Sequence, residues 1–116
     1  MNTDITSPVE TDWLAVPDLV ATLGESVGRV HRLIDENYLI GSRRNGALMV
    51  PSVFLVDNEP LSSLRGTIIV LKDLGFSDDE VIDWLLNTEP LMGQAPITSL
   101  RAGRKSEVRR IARTLI

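Results

Sequence analysis

The chain has 116 residues, of which 43% are hydrophobic and 24% charged, enough for one compact domain or two tightly joined halves. It has no cysteine and a single histidine, which excludes disulfides, thiolate metal sites and a histidine-cluster metal site. No apolar run approaches the roughly 18 residues of a membrane span, and the first eleven residues lack the apolar stretch of a signal peptide, so we expect a cytoplasmic protein.

The formal net charge of −4 is distributed unevenly along the chain. Residues 1–25 carry five acids and no Lys or Arg, and residues 57–90 carry eight acids against two bases. Residues 26–56 carry four arginines against two acids, and residues 91–116 carry six bases against one acid. A local basic field can bind phosphate while the acidic remainder limits non-specific adhesion; ordinary surface scatter is the alternative interpretation.

The N-terminal region predicts an arm followed by a short helix. Residues 1–11 are polar and aperiodic, which predicts a disordered arm. The pattern becomes helical from Trp13, and Pro17 suits the first turn of a helix that runs to about Leu23. Gly24 follows where that helix would stop.

A second helix is predicted from an N-cap at Ser26 to about Glu36, and two short helices around a glycine-bearing turn are typical of a helix-turn-helix. Spacing of 100° per residue predicts one buried face, made of Val27, Val30, Leu33 and Ile34. Gly28, Arg29 and Arg32 are predicted to project from the opposite face. There arginine can bond guanine edges or phosphates, and Gly28 would permit close approach to DNA. Two solvated arginines on a surface helix are the alternative.

A basic hairpin is predicted directly after this helix. Asn45-Gly46 separates two short apolar runs, residues 38–40 and 47–51, and is a strong hairpin signal because both residues tolerate positive φ. Arg43 and Arg44 lie beside the turn, as in a wing that meets phosphate or the minor groove. Adjacent residues point to opposite faces of a strand, so only one of them is expected to reach DNA.

His31, Trp13 and Trp84 are predicted to serve packing. His31 lies at the edge of the predicted buried face, and we favour partial burial over a phosphate contact. The two tryptophans are predicted to anchor the cores of their halves rather than to stack on bases.

The second half of the chain is predicted to be helical, after a segment at 53–56 whose geometry the sequence leaves open. Helices are expected at about 62–74, from a capping box at Ser77–Glu80, at 97–101, and at 104–115. The last helix is amphipathic, and three arginines are predicted to face away from its apolar stripe: Arg109, Arg110 and Arg113. Solvated surface, a partner or dimer contact, and an accessory phosphate contact are all open for them.

Several runs together resemble an actinobacterial family of winged helix-turn-helix DNA-binding proteins whose mycobacterial member is a Ser/Thr-kinase substrate. The matching runs are 27–34 (VGRVHRLI), the wing through 46–51, and 71–77 (LKDLGFS) leading into 83–85 (DWL). The N-terminal half is also similar to the broader MerR/excisionase-type module. The resemblance implies that the helix around Arg29 and Arg32 and the wing contact DNA.

The C-terminal half resembles the toxin-binding module at the end of some antitoxins, through residues 91–97 (LMGQAPI) and 100–104 (LRAGR). This likeness implies a protein-contacting or dimerising half, not a catalytic one.

We therefore predict a mainly α protein with an arm at 1–11, a winged helix-turn-helix at 12–56 and a helical C-terminal domain at 57–116. The expected function is sequence-selective binding of double-stranded DNA by a transcriptional regulator, and we expect a homodimer to be the form that binds. The expected contacts are Ser26, Gly28, Arg29, Arg32, Arg43, Arg44 and Asn45. The sequence shows no nucleophile–base pair and no phosphate-cradling loop, so no enzyme, cofactor or metal is expected. The alternative is a protein-interaction adaptor that binds a partner through its C-terminal half without DNA.

Overall fold

The computed structural model describes residues 8–115, which form six α-helices and two small antiparallel sheets. In chain order the elements are β1 (Trp13–Ala15), α1 (Val16–Leu23), α2 (Val27–Asp35), β2 (Ser42–Arg44), β3 (Ala47–Pro51), a 3-10 turn (Ser52–Phe54), β4 (Leu55–Val56), β5 (Glu59–Pro60), α3 (Leu64–Asp73), α4 (Asp78–Leu86), α5 (Pro96–Arg101) and α6 (Lys105–Ala112). The winged helix-turn-helix and the helical second half are as predicted, with more β-structure than expected. No helix within the described residues is long and apolar enough to cross a membrane.

The first sheet has the strand order β1-β3-β2. Its register pairs Trp13 with Pro51 and Arg44 with Ala47, so β1 and β2 both pair with β3, the second strand of the wing hairpin. The helical start predicted at Trp13 is wrong, because residues 13–15 form a strand on β3 and α1 begins only at Val16.

The turn between α1 and α2 follows local capping rules. Gly24 has the left-handed conformation (φ 67°) and its N–H bonds the carbonyl of Val20, which ends α1. Ser26 then begins α2, since its Oγ accepts a 3.1 Å hydrogen bond from the backbone N–H of Arg29. The predicted cap and glycine stop are confirmed.

One hydrophobic core runs through both halves of the chain. Its fully buried members in the first half include Leu19, Leu39, Val50 and Phe54, and in the second half Leu64, Ile68, Leu71, Leu85 and Val108. The two halves are therefore packed together rather than tethered.

Helix α3 holds the end of α2 through two polar contacts. The Nε of Arg65 donates a 2.9 Å hydrogen bond to the carbonyl of Glu36, the C-cap residue of α2. Nζ of Lys72 donates to Oδ1 of Asn37 at 3.1 Å. The free carbonyl end of a helix attracts a cation such as that of Arg65. The Lys72–Asn37 bond adds a second attachment just beyond the C-cap, so the two contacts tie the end of α2 to α3.

The connection between the halves is the β4–β5 hairpin. Leu55 pairs with Pro60 and Val56 with Glu59, so the predicted boundary between 56 and 57 falls in the turn of this hairpin. From α5, the Nη1 of Arg101 donates to the carbonyls of Val53 at 2.8 Å and Leu55 at 2.7 Å, which ties the connection to the helical half.

The predicted disordered arm needs a correction where the structure describes it. The N–H of Val9 donates a 2.7 Å hydrogen bond to the carbonyl of Leu86, and the Oγ1 of Thr11 accepts one from the N–H of Val53. Residues 8–11 are therefore held against α4 and the 3-10 turn, contacts that local composition does not encode. Residues 1–7 lie outside the described residues.

Candidate nucleic-acid interface

Helix α2 buries one side and exposes the other. Val30 and Leu33 are buried in the core, while Gly28, Arg29 and Arg32 are exposed, as predicted. Val27 was predicted to be buried and is instead 54% exposed. It is the first residue of α2, and the helix meets the core only from Val30 onward.

The N-terminal end of α2 is open to an incoming anion. Ser26 caps the N–H of Arg29, and the N–H groups of Val27 and Gly28 meet no acceptor in the described part of the chain. Unpaired N–H groups carry partial positive charge, and the side chains of Arg29 and Arg32 add full charges on the same helix.

The wing turn has the backbone that the sequence predicts. Asn45 and Gly46 both have positive φ, 53° and 80°, which is the pattern of a type I′ turn. Arg43 and Arg44 precede it on β2 and are both exposed, on opposite faces of the strand. The turn therefore presents a cationic side chain on each side of the wing.

The two wing arginines have different surroundings. The guanidinium carbon of Arg44 lies 3.6 Å from the centre of the Trp13 ring, a close cation–π contact between the two outer strands of the sheet. Arg43 lines a shallow cleft with Ser77, Asp78 and Asp79, at the N-terminal end of α4. Local patterns encode neither neighbour, since both come from distant parts of the chain.

None of the four interface arginines is neutralised by a carboxylate at ion-pair distance within residues 8–115. The ion pair found there joins Nζ of Lys72 to Oδ1 of Asp78 at 2.9 Å. Arg29, Arg32, Arg43 and Arg44 therefore present unneutralised charge to solvent on α2 and the wing.

The packing roles predicted for three other side chains hold only in part. His31 is exposed, so its predicted partial burial is wrong. It lies on the helix surface beside two other exposed residues, Gly28 three positions before it and Arg32 directly after it. Trp13 and Trp84 are half-buried against the core. The indole N–H of Trp84 donates to Glu89 at 3.3 Å.

The three arginines of α6 are not equivalent. Arg109 is half-buried and donates hydrogen bonds to the carbonyl of Ser63 at 2.9 Å and to Oγ1 of Thr67 at 3.3 Å. Its guanidinium fills the space over Gly66, where an added Cβ would come within 2.5 Å of Nη2. The prediction that Arg109 faces away is therefore wrong, because a glycine on α3 lets it pack inward. Arg110 and Arg113 are exposed, as predicted.

The comparisons with known proteins cover both halves of the chain. The family model described as "DNA-binding protein Rv2175c, wHTH domain" matches residues 1–55, and the one described as "Rv2175c C-terminal domain of unknown function" matches residues 61–115. The Mycobacterium tuberculosis (strain ATCC 25618 / H37Rv) protein named DNA-binding protein Rv2175c is 27% identical over 125 residues, spanning 97% of this chain and 85% of that protein.

A solved structure, titled NMR structure of Rv2175c, has the same fold. It superimposes with a TM-score of 0.82 at 23% identity and covers 98% of this chain and 93% of its own. The resemblance expected from the sequence is thus confirmed from the helix-turn-helix through the C-terminal half. The chain belongs to the Rv2175c family of winged helix-turn-helix proteins.

Proposed function

We propose that this chain binds duplex DNA sequence-selectively and acts as a transcriptional regulator, with α2 in the major groove and the wing on the flanking backbone. The observation that carries the proposal is the group of four exposed arginines on α2 and β2, none of them ion-paired within residues 8–115. The name of the M. tuberculosis relative, a DNA-binding protein, supports the same function.

On α2, the roles follow from position along the helix. The first turn of a recognition helix meets base edges. Arg29 lies in that turn and Arg32 in the next, and both have donors suited to guanine O6 and N7 or to phosphate. Gly28 has no side chain, and an added Cβ there would meet nothing within 4 Å, so the helix backbone is accessible at that point. Ser26 keeps the helix start in place through its cap on Arg29.

On the wing, Arg44 is the favoured phosphate contact. Stacking on Trp13 occupies a face of the guanidinium and leaves the N–H groups at its edge available for phosphate oxygens. The stacked arginine has also lost rotamer freedom before DNA arrives, which lowers the entropic cost of the contact. Asn45, at the tip, offers a side-chain amide to the backbone or minor groove.

One copy of this module presents a small surface to DNA. Single recognition modules bury about 600–1,000 Å² of protein surface, and regulatory affinities usually need two of them on half-sites one helical turn apart. We propose that the functional unit on DNA is a homodimer.

The test begins with enrichment of bound fragments from a random duplex pool at about 0.15 M salt. The affinity of Arg32→Ala for the selected duplex is then measured by fluorescence anisotropy. Loss of a base-edge contact is expected to cost about 1–3 kcal/mol, a weakening of about 5- to 150-fold. Arg104→Ala, which removes an exposed arginine at the start of α6, is the matched control and should leave the affinity within about twofold.

Salt titration separates this proposal from a protein-interaction adaptor. DNA binding through several phosphates weakens steeply as salt rises, whereas an apolar protein contact responds little. Failure to enrich any duplex, or equal affinities for Arg32→Ala and the unaltered chain, would contradict the proposed role of α2.

A further inference from the structure

An exposed apolar side chain lies at the start of α2. Val27 is 54% exposed, and it is not among the hydrophobic residues that pack on the core. The other large hydrophobic side chains exposed within residues 8–115 are Tyr38, which has Arg65 over its ring at 5.0 Å, and Leu91, in the loop before α5. Of these three exposed hydrophobic side chains, Val27 alone lies on α2, the helix that we propose faces DNA, and no cation of residues 8–115 stacks on it as Arg65 does on Tyr38.

The neighbours of Val27 leave its methyl groups accessible. Ser26 turns its hydroxyl back to cap Arg29, and Gly28 has no side chain and open space around it. Neither can cover the valine as a long charged side chain would. His31, one helical turn further along, is exposed on the same flank. Arg29, the other exposed side chain of the first turn, stands about 200° around the helix from Val27 and does not cover it. On its own side of the first turn, Val27 is thus a short, branched apolar group that projects to solvent.

The major groove offers a specific partner for such a group. Each base pair presents hydrogen-bond donors and acceptors there, and thymine alone among the unmodified bases adds an apolar C5-methyl group. The first turn of a recognition helix is the part that approaches base edges. A valine at that place can bury its methyl groups against a C5-methyl and forms no hydrogen bond with any base.

We propose that Val27 is a specificity-determining residue that selects thymine by contact with its C5-methyl group. The inference rests on the proposed function and deepens it, because it assigns a base preference to one position of each half-site. Arg29 and Arg32 supply polar contacts, and Val27 supplies the apolar one that distinguishes thymine from the other three bases.

The test replaces each thymine of the selected duplex in turn by deoxyuridine, which removes only the methyl group. At one position per half-site, the unaltered chain should lose about fourfold in affinity, the value of one buried methyl-sized group. Val27→Ala should bind the thymine duplex with a comparable loss and should bind the thymine and uracil duplexes equally. Leu91→Ala, the control for another exposed apolar residue, should keep the full preference for thymine.

Each other outcome has a definite meaning. The inference is overturned if the unaltered chain binds every uracil duplex with the same affinity as the thymine duplex. It is also overturned if Val27→Ala, with a normal circular dichroism spectrum, keeps the full preference for thymine. If salt-sensitive duplex binding and the Arg32 effect persist in those cases, the proposed function stands and only this inference fails; if no duplex is bound, both fail.

Discussion

Side chains on α2 show where residue patterns predict surroundings and where they do not. Periodicity placed Arg29 and Arg32 outward and Val30 and Leu33 inward, because the helix repeat alone decides those faces. It misplaced Val27, since periodicity cannot show how much of the first turn the rest of the fold covers. The inward packing of Arg109 was missed for a similar reason, because room for its guanidinium exists only where Gly66 of α3 lies opposite it.

Gly28→Ala should separate stability from binding. The position is helical, exposed and free of neighbours within 4 Å of an added Cβ, so alanine should stabilise the fold by about 0.5–1 kcal/mol. The added methyl group stands where α2 would approach DNA, and affinity should fall several-fold. Urea unfolding and anisotropy measure the two effects. Ser106→Ala, exposed on α6, should leave affinity unchanged; an unchanged affinity for Gly28→Ala as well would place this face of α2 away from DNA.

Secondary-structure elements whose signals are local were predicted, and those that depend on distant pairing were not. The N-cap at Ser26, the capping box at Ser77–Glu80 and the Asn45-Gly46 turn each lie within four residues, and all three are present. Strand β1 depends on a partner at 49–51, and β4 and β5 are two-residue strands too short for any alternation to show. The candidate site was accessible to sequence reasoning because its two elements rest on local signals.

Gly46→Ala should weaken the wing. Gly46 has φ 80°, where an L-residue is strained by about 1–2 kcal/mol, and nothing lies near an added Cβ, so the cost is purely conformational. The free energy of unfolding should fall by about that amount, and the salt dependence of DNA binding should become shallower by about one phosphate contact. A Gly46→Ala chain with undiminished stability would contradict the left-handed turn, and one with an undiminished salt slope would remove the wing from the interface.

At the level of the complete fold, the C-terminal half approaches both proposed DNA-binding elements. Helix α3 bonds the end of α2 through Arg65, and the start of α4 places Asp79 in the cleft beside Arg43 of the wing. The carboxylate lowers the positive potential at that side of the wing. Binding to arbitrary sequences, which depends mostly on charge, should be restrained more than binding that also has base contacts.

Asp79→Asn should therefore strengthen binding to a non-specific duplex by about two- to fivefold at low salt, with a smaller effect as salt rises. Asp57→Asn is the matched control, because Asp57 is exposed in the β4–β5 turn with φ 53°, a conformation that asparagine also tolerates. Equal effects of the two substitutions, measured by anisotropy on the same duplex, would show that only net charge matters.

The ribbon that joins the two halves has a mechanical consequence. Its strands pair with each other, and Arg101 fastens it to α5 through two backbone carbonyls. A connection held in this way restricts rotation of one half of the chain relative to the other. We therefore expect a displacement of the wing to be felt at α5, and a partner bound to the C-terminal helices to shift, in return, β3, the strand that pairs with the Arg44 strand.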